Sequence, residues 1–264
     1  MRLSTLTSLL LFCAVSSITH AQSYRVNETL SRLVVSDEVK PIMVLFPGYS
    51  VEQNWAETWA MEMLKDEEVK DTFSNIFVFK GPKEVFYNSQ ELTISALFDE
   101  FKEVGNVSEL VVVAHSSGSF PAHIFFRHLQ VSDLNEQLKE KVLYVNLDGG
   151  IGENENAFSD ASLDYLKKGY SISALDTLTN TYSANHESMI AFAEHYPEKF
   201  EHILLRVESP CEAEAQWCLH DVFINQQPHN KAAFDLEKDY SQYDTKHPIN
   251  LTWLHPILDQ LKGN

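Results

Sequence analysis

Five short runs of nearly uninterrupted apolar residues, at 42–46, 76–79, 110–114, 142–147 and 203–207, limit most strongly what this chain can fold into. A strand with one face in water alternates apolar and polar residues, whereas a continuous run marks a strand covered on both faces. Between the runs, apolar residues recur three and four apart: Trp55, Trp59 and Met63; Ile94, Leu97, Phe98 and Phe101; Ala122, Phe125, Phe126 and Leu129; Met189, Phe192, Ala193 and Tyr196. That spacing gathers each set on one side of a helix, so each helix can cover one face of a sheet. Strands alternating with helices predict an α/β fold, a doubly wound and mostly parallel sheet with ligands beyond the carboxyl ends of its strands. No repeat or Gly/Ser-rich linker divides the chain, so residues 22–264 are expected to form one domain.

The first 21 residues read as an export signal: Arg2, a mostly apolar stretch over 6–18, then Thr19-His20-Ala21 as a small-x-small-like cleavage site. The apolar stretch falls short of the roughly 20 residues a bilayer crossing needs. A secreted chain starting at Gln22 is therefore expected, with no integral membrane segment after cleavage. The full sequence carries 20 basic and 38 acidic residues, and cleavage removes only Arg2 from that balance. So negative a surface repels phosphate backbones and anionic headgroups, which excludes nucleic acid as a natural partner. Cys13 leaves with the signal, and the two remaining cysteines, Cys211 and Cys218, are expected to pair in an oxidising compartment. Asn27, Asn106 and Asn250 each begin an Asn-x-Ser/Thr triplet and are candidate glycosylation sites.

The third run leads into Ala114-His115-Ser116-Ser117-Gly118 and then a helical pattern. A sharp turn from strand to helix brings the two backbones close and needs small residues on both sides of its apex; Ala114 and Gly118 satisfy that need. This segment resembles the A-H-S-x-G form of the nucleophile elbow in lipases and esterases of the α/β-hydrolase superfamily. The resemblance implies a compact fold of that type with Ser116 as nucleophile. His115 is read as a scaffold residue of the turn. Pro47-Gly48-Tyr49-Ser50 follows the first run where the superfamily has His-Gly-x, with Pro47 in place of the histidine. By that similarity the backbone N–H groups of Tyr49 and Ser117 would form the oxyanion hole.

A serine hydroxyl needs a base, and the superfamily's order of serine, acid, histidine places it late in the chain. His220 follows the last apolar run, two residues after Cys218, and Cys218-Leu219-His220 is similar to the cysteine and histidine of pancreatic-type lipases. A histidine so tethered suits a base whose ring must stay aligned, and His229 and His247 are the alternatives. Two aspartates compete as the acid. Asp176 ends 170–175, read as the seventh strand, and is favoured; Asp148 ends the run before it, where pancreatic-type lipases place theirs.

The expected chemistry is carboxylic ester hydrolysis through an acyl-enzyme, with no cofactor and no metal. The substrate would be a small-molecule, lipid or polymer ester, and the protein a monomer. Acyl transfer, peptide hydrolysis and an inactive binding protein on the same fold are the alternatives. Between the sixth and seventh strands there is room for one helix, over 157–168, and no large cap domain. Residues 228–248 read as a polar surface loop, and 249–261 as a final helix.

Overall fold

A computed structural model describes residues 21–83, 91–150, 163–174, 183–205 and 253–262. Eight strands form one sheet: β1 (Gln22–Arg25), β2 (Leu30–Val34), β3 (Ile42–Phe46), β4 (Asn75–Phe79), β5 (Leu110–His115), β6 (Val142–Leu147), β7 (Leu166–Ala174) and β8 (Phe200–Leu205). Their spatial order is β1-β2-β4-β3-β5-β6-β7-β8. β1 and β2 run antiparallel to their neighbours, and every later pairing is parallel. The helices are α1 (Gln53–Met63), α2 (Glu67–Thr72), α3 (Glu91–Val104), α4 (Ser119–Gln130), α5 (Leu134–Gln137), α6 (Ser183–His195) and α7 (His255–Lys262).

β3, β4, β5 and β6 are buried at every position, as their continuous apolar runs require. Alternate residues serve two separate cores. Met43, Leu45, Val111 and Val113 pack with Trp59, Met63, Val69, Ile257 and Leu258 from α1, α2 and α7. Ile42, Val44, Val112 and Ala114 pack on the other face with Leu97, Phe101, Phe125, Phe126 and Met189 from α3, α4 and α6. Helices on both faces make the sheet doubly wound, the architecture that the elbow's resemblance implies. Each fully buried Val, Leu, Ile or Phe side chain in these cores contributes about 1.5–3 kcal/mol.

Three expectations are corrected. The helix over 157–168 cannot reach its end, because β7 already begins at Leu166, and Lys167 within it reaches across to Glu109 at 2.9 Å. Trp55 does not join Trp59 and Met63 in the core but is 63% exposed. β8 begins at Phe200 rather than 203, because the ring of Phe200 covers Gly169 on β7. The last helix is confirmed from His255, with Ile257 and Leu258 buried; 249–252 lie outside the described residues. So do the loop 228–248 and the remainder of the 157–168 segment up to 162.

His202 on β8 gives the fold a pH dependence. Among the described residues neither of its ring nitrogens has a hydrogen-bond partner, and burial lowers its pKa from 6.5 to about 4. Between those values the unfolded chain takes up a proton that the folded chain refuses. Its contribution to stability is therefore complete above pH 6.5 and is lost as the pH falls towards 4. Urea midpoints of wild type should drop across that window, and His202→Gln should flatten the drop.

Candidate active site

The winding of the sheet reverses around β3. The chain leaves β3 through α1 and α2 to reach β4 on one side, then returns through α3 to β5 on the other. Reversal points open a crevice at the carboxyl ends of the strands, where α/β folds hold ligands. Strand register decides which residues meet there. Phe46 lies opposite Ala114, Ala114 opposite Asn146, and His115 opposite Leu147. The segments that follow, Pro47–Ser50, Ser116 and Asp148, therefore emerge side by side.

Ser116 opens a single turn of 3-10 helix, Ser116–Gly118, that runs directly into α4. Its φ is 54°, in the left-handed region that costs an L residue roughly 1–2 kcal/mol. Only four non-glycine residues among those described have positive φ, and three of them, Ser50, Ser116 and Asp148, stand at these adjoining strand ends. Strain concentrated in this way marks a place where function overrides backbone preference.

The elbow is closed by contact with β3. A Cβ at Gly118 would run into the Phe46 carbonyl oxygen and lie 2.6 Å from that of Pro47. The following serines are sealed in as well: Ser117 and Ser119 are buried, and neither Oγ has a hydrogen-bond partner among the described residues. At both positions the turn uses the small size of serine rather than its hydroxyl. His115 is buried, as expected of a scaffold residue.

The loop after β3 lies against Ser116. A Cβ on Gly48 would be 3.1 Å from the Ser116 Cβ and 3.0 Å from His115 Nδ1. The Ser50 N–H donates to Pro82 O at 2.8 Å, the Val51 N–H to Gly48 O at 3.3 Å, and the Gly81 N–H to Val51 O at 2.8 Å. Among the described residues no carbonyl accepts from the Tyr49 N–H between them. The Ser117 N–H lies in the first turn of its helix, where no intrahelical acceptor exists. Gly81 holds the loop from behind: a Cβ there would collide with Gly48 O and come within 2.6 Å of Val51 N.

Asp148 is 1% exposed, with φ 55° and its N–H donated to Ile172 O at 2.9 Å. Its turn is tied by Asn146, whose Oδ1 accepts from the Gly149 N–H at 2.9 Å and whose Nδ2 donates to Gly149 O at 3.1 Å. A Cβ at Gly149 would lie 2.6 Å from Ser116 O, so the turn leans on the elbow itself. Sequence reading missed Asn146, Gly149 and Gly81; the Leu-Asp-Gly-Gly at 147–150 was the one local signal. His220, Asp176, Cys211, Cys218 and Asn250 lie outside the described residues. Asn27 sits between β1 and β2, its Oδ1 accepting from Thr29 N at 2.8 Å, and Asn106 is exposed between α3 and β5.

No protein-family model matches the sequence, and no curated protein matches it. Among solved structures the chain is similar to esterase B from Lactobacillus rhamnosis inhibited by a tributyrin phosphonate, with 8% identity, a TM-score of 0.44 and 66% of this chain and 68% of that one covered. It is also similar to the fluorophosphonate-binding serine hydrolase FphF of Staphylococcus aureus (14%, 0.44, 69% and 89%). A third is Est1E from Butyrivibrio proteoclasticus with ferulic acid bound (12%, 0.45, 76% and 95%). These likenesses are of chain path, and the chemistry of the site rests on its own residues.

Proposed function

We propose that this chain is a secreted serine hydrolase that cleaves carboxylic esters with Ser116 as nucleophile. The observation that carries the reading is the strained Ser116, φ 54°, at the end of β5 with the Gly48 loop packed against it. His220 takes the Ser116 proton as Oγ attacks the ester carbonyl, and the tetrahedral oxyanion accepts hydrogen bonds from the Tyr49 and Ser117 N–H groups. Collapse expels the alcohol, which receives the proton from His220. Water, deprotonated by the same ring, then releases the acid and restores Ser116. Backbone donors need no charge, so an acidic protein can stabilise this anion.

In this reading Asp176 fixes the His220 tautomer, and the Cys211–Cys218 cystine of the exported chain holds His220 in place. Asp148 is the second candidate for the acid, favoured by its burial and strained backbone at the strand end beside Ser116. Short p-nitrophenyl esters assayed with wild type and His220→Ala test the function: turnover lost by the variant supports it, and none by folded wild type refutes it. Asp176→Asn and Asp148→Asn separate the acids. Loss confined to Asp148→Asn, with folding preserved, reassigns the role.

Gly81→Ala probes the oxyanion loop without touching any reacting group. Its Cβ would push the Gly48 carbonyl and with it the Tyr49 N–H. Misplacement on the order of 1 Å costs about 100-fold in rate. The expected result is that loss in kcat with an unchanged far-ultraviolet circular dichroism spectrum.

A further inference from the structure

A cleft of about 380 Å³ opens beside the oxyanion loop, between residues 47–51 and the first two turns of α1. Its walls are Pro47, Tyr49, Val51, Trp55 and Trp59, with Ser50 at the bend. Trp55 and Trp59 stand four apart and so share a side of α1. Trp59 is buried as the inner wall, whereas Trp55 and Tyr49 remain 63% and 58% exposed. Indole surface left in water forgoes the gain from burial. Two large rings doing so on one cleft mark it as a place where something apolar binds.

Tyr49 joins the cleft to the chemistry. Its N–H is the proposed oxyanion donor and the residue itself lines the cleft, so an ester whose carbonyl is held there places one substituent in the cleft. The volume lies at the small end of ligand sites, which span roughly 300–1,000 Å³. Glu52 stands at the rim, its carboxyl held below the ordinary range by a hydrogen bond from Lys80 at 2.7 Å and by that lysine's charge. With its charge balanced by Lys80, Glu52 offers a charged substituent little attraction, which suits a neutral group.

We propose that this cleft is the acyl subsite and that it selects neutral acyl groups ending in an aromatic ring; the proposal rests on the serine-hydrolase reading. Stacked or edge-on aromatic contacts add to area burial, so a ring gains over an alkyl chain of similar size. The acyl half stays bound through both steps while the alcohol leaves after the first, which assigns the walled side to the acyl group.

The test compares methyl 3-phenylpropanoate with methyl nonanoate, and benzyl acetate with heptyl acetate, each pair matched in carbon number. Wild type should favour the aromatic acyl ester by roughly 3- to 10-fold in kcat/KM. Trp55→Ala should bring that ratio close to one, Trp55→Phe should keep most of it, and neither should alter the acetate ratio. An unchanged acyl ratio in folded Trp55→Ala, or a change confined to the acetates, overturns the proposal. Binding of 3-phenylpropanamide to Ser116→Ala, followed by saturation-transfer NMR and weakened by adding Trp55→Ala, reads the cleft without turnover. Amide binding without any ester hydrolysis would sink the enzymatic reading alone, and absence of binding would sink the subsite.

Discussion

Gly118→Ala is expected to lower the melting temperature by roughly 6–12 °C and the hydrolytic rate by about 100-fold. The added methyl group would meet the Phe46 and Pro47 carbonyls and come within 2.7 Å of the Phe46 carbonyl carbon. These are backbone atoms at the end of β3, where Phe46 pairs with Ala114 of β5, so no side chain can rotate out of the way. Overpacking commonly costs about 1–3 kcal/mol, and a rigid strand end places this case near the top. Relief requires the elbow to move away from β3, which separates Ser116 from the Tyr49 N–H. Stability and rate should therefore fall together. A variant with the wild-type melting temperature and rate would show that elbow and strand do not touch as described.

Ser116→Gly should move the same two properties in opposite directions. Removal of the proposed nucleophile is expected to cost about 10⁶ in kcat. Glycine also accepts φ 54° without strain, and this relief of about 1–2 kcal/mol exceeds the 0.5–1 kcal/mol of extra chain entropy it loses on folding. Ser116→Ala keeps the strain and loses the hydroxyl. Thermal or urea unfolding should thus rank Ser116→Gly about 0.5–1 kcal/mol above Ser116→Ala, with both inactive. Alanine as the more stable variant would mean that the turn is not strained at this residue.

The central strands were legible because burial on both faces writes an uninterrupted apolar run into β3, β5 and β6. β1 and β2 were not, since β1 is exposed throughout and Arg32 interrupts β2 to pair with Glu100 at 3.1 Å. Periodicity put Trp55 in the core, because spacing reports the side of a helix and not how far the core extends along it. The turn at Ser116 and the Pro47–Ser50 loop could be read because each is a local turn with its own residue requirements. Gly81 and Asn146 act across loops, on Gly48 and on the Asp148 turn, and no local pattern announces a contact of that kind. Asp148 as a rival acid was legible from its position alone; its strained backbone was not.

Ser116 as the activated nucleophile is tested most directly by a fluorophosphonate probe followed by peptide mass mapping. The probe reports an activated serine whatever the natural ester. Stoichiometric modification of Ser116 alone, lost in His220→Ala, is the result this account predicts. Folded wild-type protein that takes up no label, or takes it up on another serine, would contradict it.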